Sequence, residues 1–185
     1  MSRQSDPLQP LPDNLELIPE FDAITIRRKW RSLVAYLMVF FTLFWNGFML
    51  IWMGITLSQG IWLMAAFGSI HALIGVGLAY FNIASFLNHT DIRIDASKVS
   101  IKHRPIPWFG QKEIPVANIQ QLYVKERTHR GKNGTSVTYA VHYLDSAQRE
   151  RNLLGGLISA SQATYIENEI EKTLGIKNQA VRGEY

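Results

Sequence analysis

Leu33–Leu57 reads LVAYLMVFFTLFWNGFMLIWMGITL, and Ile61–Leu87 reads IWLMAAFGSIHALIGVGLAYFNIASFL. Neither stretch holds an Asp, Glu, Lys or Arg, nor does the Ser58-Gln59-Gly60 between them. All 34 charged residues therefore lie in the other 130 of 185 positions. Runs of 25 and 27 residues are each long enough to cross a hydrocarbon core of about 30 Å as a helix. In lipid, backbone groups must be satisfied within the segment, so the reading is two helices, and a three-residue connection makes them a hairpin. A secretory h-region of about 7–15 residues does not account for the first run, which 32 residues precede. A mean hydropathy of −0.01 conceals this segregation. A simple soluble globule is excluded. So are a disulfide-stapled module and a thiolate metal site, because the chain has no cysteine.

The flanks predict orientation. Arg27, Arg28, Lys29 and Arg31 abut the first run while the turn is uncharged. The positive-inside rule then puts both termini on the cytoplasmic or stromal face of a plasma or thylakoid membrane. Trp30 is expected at the inner interface, with Trp52 and Trp62 near the outer one. Asn46 lies 13 residues before Gln59 and His71 lies 12 after it, so a hairpin brings them to similar depth. They are expected to form an intramembrane polar pair, through an interhelical hydrogen bond worth about 0.6–2 kcal/mol. The alternatives are a contact to another membrane protein, or His71 as an axial ligand to a haem or chlorophyll. No other cofactor and no metal site is predicted. Gly68, Ala72, Gly75 and Ala79 permit close packing against the first helix or against a partner.

Outside the hairpin (residues 33–87), three regions are expected: an N-terminal arm over 1–32, a domain over 88–175 and a tail over 176–185. Four prolines (Pro7, Pro10, Pro12, Pro19) predict a largely irregular arm. Leu15, Leu17, Ile18, Phe21, Ile24 and Ile26 are nonetheless more apolar than a solubilising tail requires, so part of it is expected to lie on a membrane or on the domain. From residue 88 the period becomes two. Strands are expected at Asp91–Asp95, Val99–Arg104, Gln111–Ile114, Ile119–Arg127, Ser136–Leu144 and Glu150–Leu154, with His129–Gly134 as a hairpin tip. After Gly155-Gly156 a helix is predicted, capped by Ser161, with Ile166, Ile170 and Leu174 as its apolar stripe, Gly175 at its end, and Glu167, Glu169 and Glu171 as a solvated face. The fold class is α+β: a helical hairpin, then an antiparallel barrel or sandwich with a C-terminal helix.

Two apolar helices leading into T-D-I-R-I-D, V-S-I-K, I-P-V-A-N-I-Q-Q-L-Y-V and a closing A-T-Y-I-E-N-E-I-E resemble membrane-anchored bacterial proteins with a pleckstrin-homology-like domain, over residues 33–175. Some similar two-pass proteins of cyanobacteria assist assembly of photosystem complexes. The resemblance therefore implies an accessory or assembly role at a photosynthetic complex, photosystem II foremost.

Chemistry is sparse. No H-E-x-x-H, Walker loop or G-x-S-x-G occurs, and the histidines show no ligand spacing, so no catalytic residue is assigned and an enzyme is not expected. Charge says more. From residue 88 onward there are 14 Lys+Arg against 10 Asp+Glu. Lys98, Lys102 and Arg104 loosely resemble the basic pattern with which eukaryotic pleckstrin-homology domains hold inositol phosphates, and form a candidate headgroup site. Arg127, Arg130 and Lys132 surround the hairpin tip. Trp108 and Phe109 sit in the proline-interrupted loop Pro105–Gly110, where aromatics need a cover: the domain's own core with Trp108 folded back, a membrane interface, or a partner protein. These five are the candidate contacts to a partner or a membrane. The expected partners are an integral membrane protein complex and an anionic lipid surface. Nucleic acid is not expected, since no recognition helix or stacking array appears.

Overall fold

The computed structural model describes residues 10–131 and 134–179. The described chain forms β1 (Leu15–Pro19), β2 (Ala23–Lys29), α1 (Leu33–Ser58), α2 (Trp62–Leu87), β3 (His89–Asp95), β4 (Lys98–Arg104), β5 (Lys112–Pro115), β6 (Gln121–Gly131), β7 (Gly134–Leu144), β8 (Glu150–Leu157) and α3 (Ala160–Leu174). It divides into two compact units. One comprises residues 29–89 with 104–107, and the other is the rest.

The first unit is the helical pair. Both helices run for 26 residues and are long and apolar enough to cross a membrane, and only 17% and 22% of their most apolar windows are buried. At 1.5 Å per residue, 26 residues rise about 39 Å, more than the core thickness. Ser32 starts α1 by accepting from Ala35 N at 3.3 Å. The turn closes with Ile61 N on Thr56 O at 2.9 Å, and Gly60 takes φ +68°, the left-handed region that glycine enters freely. The buried residues of α1 are Ala35, Thr42, Met49 and Thr56, one every seven. Gly68, Gly75 and Asn82 repeat the same interval on α2. A seven-residue seam is the pattern of a left-handed crossing. Its glycines are consumed inside the pair: a Cβ on Gly68 would stand 2.9 Å from Trp52 Cδ1, and one on Gly75 would stand 2.6 Å from Asn46 Oδ1.

The second unit is an antiparallel β domain with one helix. Its five-stranded sheet has the order β1-β2-β3-β4-β5, and its three-stranded sheet the order β6-β7-β8. Ile26, Ile92, Ile94, Val99, Ile101, Leu122, Val124, Val141, Leu153 and Leu157 form the core with Ala163, Ile166 and Ile170 of α3.

Several expectations are corrected here. Part of the arm is regular: Leu15↔Arg28 through Pro19↔Ile24 pair as a hairpin and form one edge of the larger sheet. The domain thus begins well before residue 88, and the apolar helices are an insertion between two neighbouring strands of one sheet. Strand β8 continues through Gly155 and Gly156 to Leu157, because Gly156 at φ +70° accommodates a bulge opposite β7. The cap of α3 is Ser159, whose Oγ accepts from Gln162 N at 3.3 Å, rather than Ser161. Gly175 ends α3 in the left-handed conformation, as read from the sequence. The acidic face of α3 is not solvated: Glu167, Glu169 and Glu171 are 3%, 9% and 5% exposed. Glu171 Oε1 accepts from Gln121 Nε2 at 2.8 Å, and Gln162 Nε2 donates to Asp13 O at 2.9 Å, so chain preceding β1 reaches the helix start.

Candidate functional site

Strands β6 and β7 pair over eleven positions, from Gln121↔Leu144 to Gly131↔Gly134. Their inner half is core. Beyond Lys125 the ribbon leaves it, and Glu126–Gly131 and Gly134–Val137 are exposed on both strands. Six residues at about 3.3 Å each give this free part a length of about 20 Å. Opposed residues share a face, so Arg127, Thr138, His129 and Ser136 line one side, and Thr128, Val137, Arg130 and Thr135 the other. Apart from Glu126 at its base, the described part of the free ribbon carries no acid. Lys132 lies outside the described residues.

The root of the ribbon holds a polar cluster that sequence reasoning missed. Tyr123 and His142 are cross-strand partners, 2% exposed each, with ring centroids 5.7 Å apart. His142 Nδ1 lies 2.9 Å from Glu150 Oε1, and Arg127 Nη2 donates to His142 Nε2 at 3.2 Å. The Arg127 contact makes Nε2 the accepting ring nitrogen, while Nδ1, though close to Glu150, is not aligned to hydrogen-bond it. Lys125 Nζ donates to both Glu150 oxygens, at 2.9 and 3.1 Å. Burial pulls the His142 pKa down; Glu150 opposes this, and Arg127 and Lys125 add to it. Burial first, then the hydrogen bond to Glu150, pushes the Tyr123 hydroxyl up to about 12. The Lys125 hydrogen bond holds the Glu150 carboxyl below its ordinary range. Arg127 thus anchors the ribbon root through His142, while Arg130 is exposed further out. The alternation Tyr123-Lys125-Arg127 was visible in the sequence, but the pairing with His142 requires the register.

Two members of the basic trio of β4 are already paired. Lys98 Nζ and Lys102 Nζ stand 2.7 and 3.2 Å from the two oxygens of Glu113, which answers both charges with one carboxylate. Arg104 belongs to the helical unit. In the aromatic loop, Phe109 is 88% exposed and Trp108 half-buried, their rings edge-on at 6.2 Å. The residues before them are held by the helical unit: Asn88 exchanges two hydrogen bonds with the Ile106 backbone at 2.8 and 2.9 Å, and Tyr80 donates to Pro107 O at 2.6 Å.

Within the helical pair, Asn46 and His71 do not hydrogen-bond to each other. Asn46 Nδ2 donates to Thr42 O at 2.8 Å and across to Gly75 O at 3.1 Å. His71 Nδ1 stands 3.2 Å from Phe67 O on its own helix, and its ring stacks on Trp45, whose Nε1 donates to His71 O at 3.1 Å. The reason is local: without a side chain, Gly75 exposes its carbonyl nearer to Asn46 than the imidazole reaches. A second amide, Asn82, donates to Thr42 Oγ1, Met38 O and Leu78 O. Its Oδ1 is buried and receives no hydrogen bond. Asn82 lines an open apolar groove of about 440 Å³ with Val39, Leu43, Ala79, Ile83 and Phe86.

No cluster of three His, Cys, Asp or Glu fit for a metal occurs among the described residues. No family model matches the chain, and no curated protein matches it in sequence.

Proposed function

We propose that this chain is a non-enzymatic, membrane-anchored interaction module that docks on an integral membrane protein complex. The β6–β7 ribbon is the observation that carries this reading. A free two-stranded ribbon is marginal in water, yet this one extends about 20 Å past the core with Arg127, His129 and Arg130 along it. Such a ribbon suits an acidic protein surface, where its polar backbone edge and cations find partners. The membrane half of the reading draws support from Asn82. Asn82 lines an open groove walled by Val39, Leu43, Ala79, Ile83 and Phe86, whose shape and polarity suit the side of a neighbouring membrane helix.

Placement of both helix connections on one face of the bilayer has two supports. The first is the basic cluster Arg27–Arg31. The second is the sheet: β2 and β3 are hydrogen-bonded neighbours, and a bilayer cannot divide a sheet, so the chain between them crosses an even number of times. The pleckstrin-homology-like identity and the role at a photosynthetic complex rest on the sequence resemblance.

The test is purification of the tagged full chain in mild detergent from its native membrane. A stoichiometric membrane protein partner is expected, lost in His129→Glu with Arg130→Glu and weakened in Asn82→Leu. Arg127 is left intact because it holds His142. A wild-type chain that elutes alone, or a partner retained by both variants, overturns the reading.

A further inference from the structure

Three basic residues occupy positions that the sheet pattern reserves for core. In β2 the inward parity runs Ile26, Arg28; in β4 it runs Val99, Ile101, His103; in β5 it runs Lys112, Ile114. Ile26, Val99, Ile101 and Ile114 are all buried. Because the strands are antiparallel, the end of β2, the start of β3, the end of β4 and the start of β5 lie at the same end of the sheet. Arg28, Thr90, His103 and Lys112 therefore form a row across its inner face at that end. Arg28, His103 and Lys112 are all half-buried.

Arg28 and Lys112 reach toward β8. Arg28 Nη2 donates to Gly156 O at 2.8 Å and Lys112 Nζ to Asn152 O at 2.9 Å. Among the described residues, backbone carbonyls are the only hydrogen-bond acceptors of these two cations, and no carboxylate lies within ion-pair reach of either. His103 lies between them in the row, its Nδ1 3.0 Å from Thr90 Oγ1. Burial, then the charges of Arg28 and Lys112, hold its pKa below the ordinary histidine range. Where His103 Nε2 lies, Gly110 has no side chain: a Cβ there would be 3.5 Å away. Arg28 and Lys112 repel one another across His103, and an anion among them would reverse that cost. A guanidinium fork, an ammonium and an imidazole are suited to a tetrahedral oxyanion. The arrangement differs from Lys98 and Lys102, whose charges Glu113 already answers.

We propose that Arg28, His103 and Lys112 form a binding site for a phosphate oxyanion at the end of the five-stranded sheet. The phosphate comes either from solution or from a phospholipid headgroup, and the two sources are separable. The full chain, labelled at its histidines, is placed in nanodiscs of a galactolipid, which carries no phosphate, and the His103 imidazole is titrated by NMR with and without inorganic phosphate. A parallel sample uses nanodiscs containing phosphatidic acid and no free phosphate. The groups facing His103 are Arg28 on β2, Thr90 on β3 and Lys112 on β5, so a bound anion raises its proton affinity about tenfold or more. A rise with inorganic phosphate identifies a soluble ligand, and a rise only with phosphatidic acid identifies a headgroup. Arg28→Gln with Lys112→Gln keeps donors for Gly156 O and Asn152 O and is expected to abolish the rise. Lys98→Gln with Lys102→Gln is expected to leave it unchanged. No rise in either nanodisc, or a rise that survives in the Arg28/Lys112 variant, overturns the proposal.

Discussion

Replacing Gly75 with alanine tests whether the helical pair is held by the close approach described above. The new Cβ would sit 2.6 Å from Asn46 Oδ1 and 3.1 Å from Trp45 Cδ1. Asn46 cannot turn aside freely, because its amide is fixed by donation to Thr42 O and Gly75 O at 2.8 and 3.1 Å. Trp45 is likewise held through His71 O at 3.1 Å. The helices must separate or the interhelical bond must break. A lost bond of this kind costs about 0.6–1.7 kcal/mol in a membrane, and overpacking typically costs about 1–3 kcal/mol. With both effects partly relieved by relaxation, the expected loss is about 1–2 kcal/mol. Gly77 is the control, with nothing within 4 Å of its Cβ position, so Gly77→Ala is expected to stay within about 0.5 kcal/mol of wild type. Asn46→Ala makes room for the methyl group, so the double variant Asn46→Ala with Gly75→Ala should cost less than the sum of its parts. Reversible unfolding of the full chain in mixed micelles with SDS, followed by far-UV circular dichroism, reads all four. A Gly75→Ala cost no larger than that of Gly77→Ala, or strict additivity in the double variant, would falsify the seam.

Two further outcomes are expected. Residues 30–88 lie between neighbouring strands, so replacing them with a short Gly/Asn linker should give a soluble, monomeric β domain; an aggregated product would show that the sheet is not self-sufficient. His142 and His103 are both held below their ordinary pKa. The unfolded chain therefore takes up protons from about pH 6.5 downward while the folded one does not. Stability is then full above about pH 6.5 and falls on acidification, by up to about 1.4 kcal/mol per pH unit for each group. Asp95, whose carboxyl is held at about 2, loses its contribution much lower, so the window between about pH 6.5 and 5 belongs to the histidines. His142→Gln should flatten this slope, and an unfolding midpoint equal at pH 7.5 and 5.5 would refute the assignment.

The helical pair was legible because the absence of charge over 55 residues is a local property, and so were the inner parts of β6 and β7 and the glycine end of α3; the outer ribbon was not, since His129–Gly131 and Gly134, read as a hairpin tip, pair as strand. The N-terminal strands were not. Pro19 ends β1 at a sheet edge, where proline is tolerated, and the partner that makes β2 part of a sheet is β3, beyond the whole helical insertion. No local pattern announces a pairing across that distance. The glutamates of α3 misled for a related reason: the stripe Ile166, Ile170, Leu174 marks one buried side, but the other cover comes from outside the helix, as the Gln162–Asp13 contact shows. The basic row leaves a trace in the sequence. A cation on the apolar parity of a strand, as in Ile26-x-Arg28 or Ile101-x-His103, departs from alternation, and only the sheet order reveals that three such departures share one end. For Asn46 and His71, equal offset from the turn gave equal depth but not partnership, which the absent side chain of Gly75 decided.

Inserting the apolar helices between β2 and β3 also imposes an order on biosynthesis. Strands β1 and β2 emerge first, and the 59 residues from Trp30 to Asn88 must follow before β3 can pair with them. At about 5–20 residues per second, that leaves the first two strands waiting about 3–12 s as a bare hairpin with Leu15 and Ile26 uncovered. Under the proposed membrane anchoring, pairing then requires that both helices have been threaded and the chain returned to its starting compartment. A ribosome-bound chain that inserted α1 alone would deliver β3–β8 to the wrong side, where no sheet could close. Under the proposed anchoring, closure of the five-stranded sheet therefore depends on an even number of crossings, and a chain with one crossing would keep the edge of β2 unpaired.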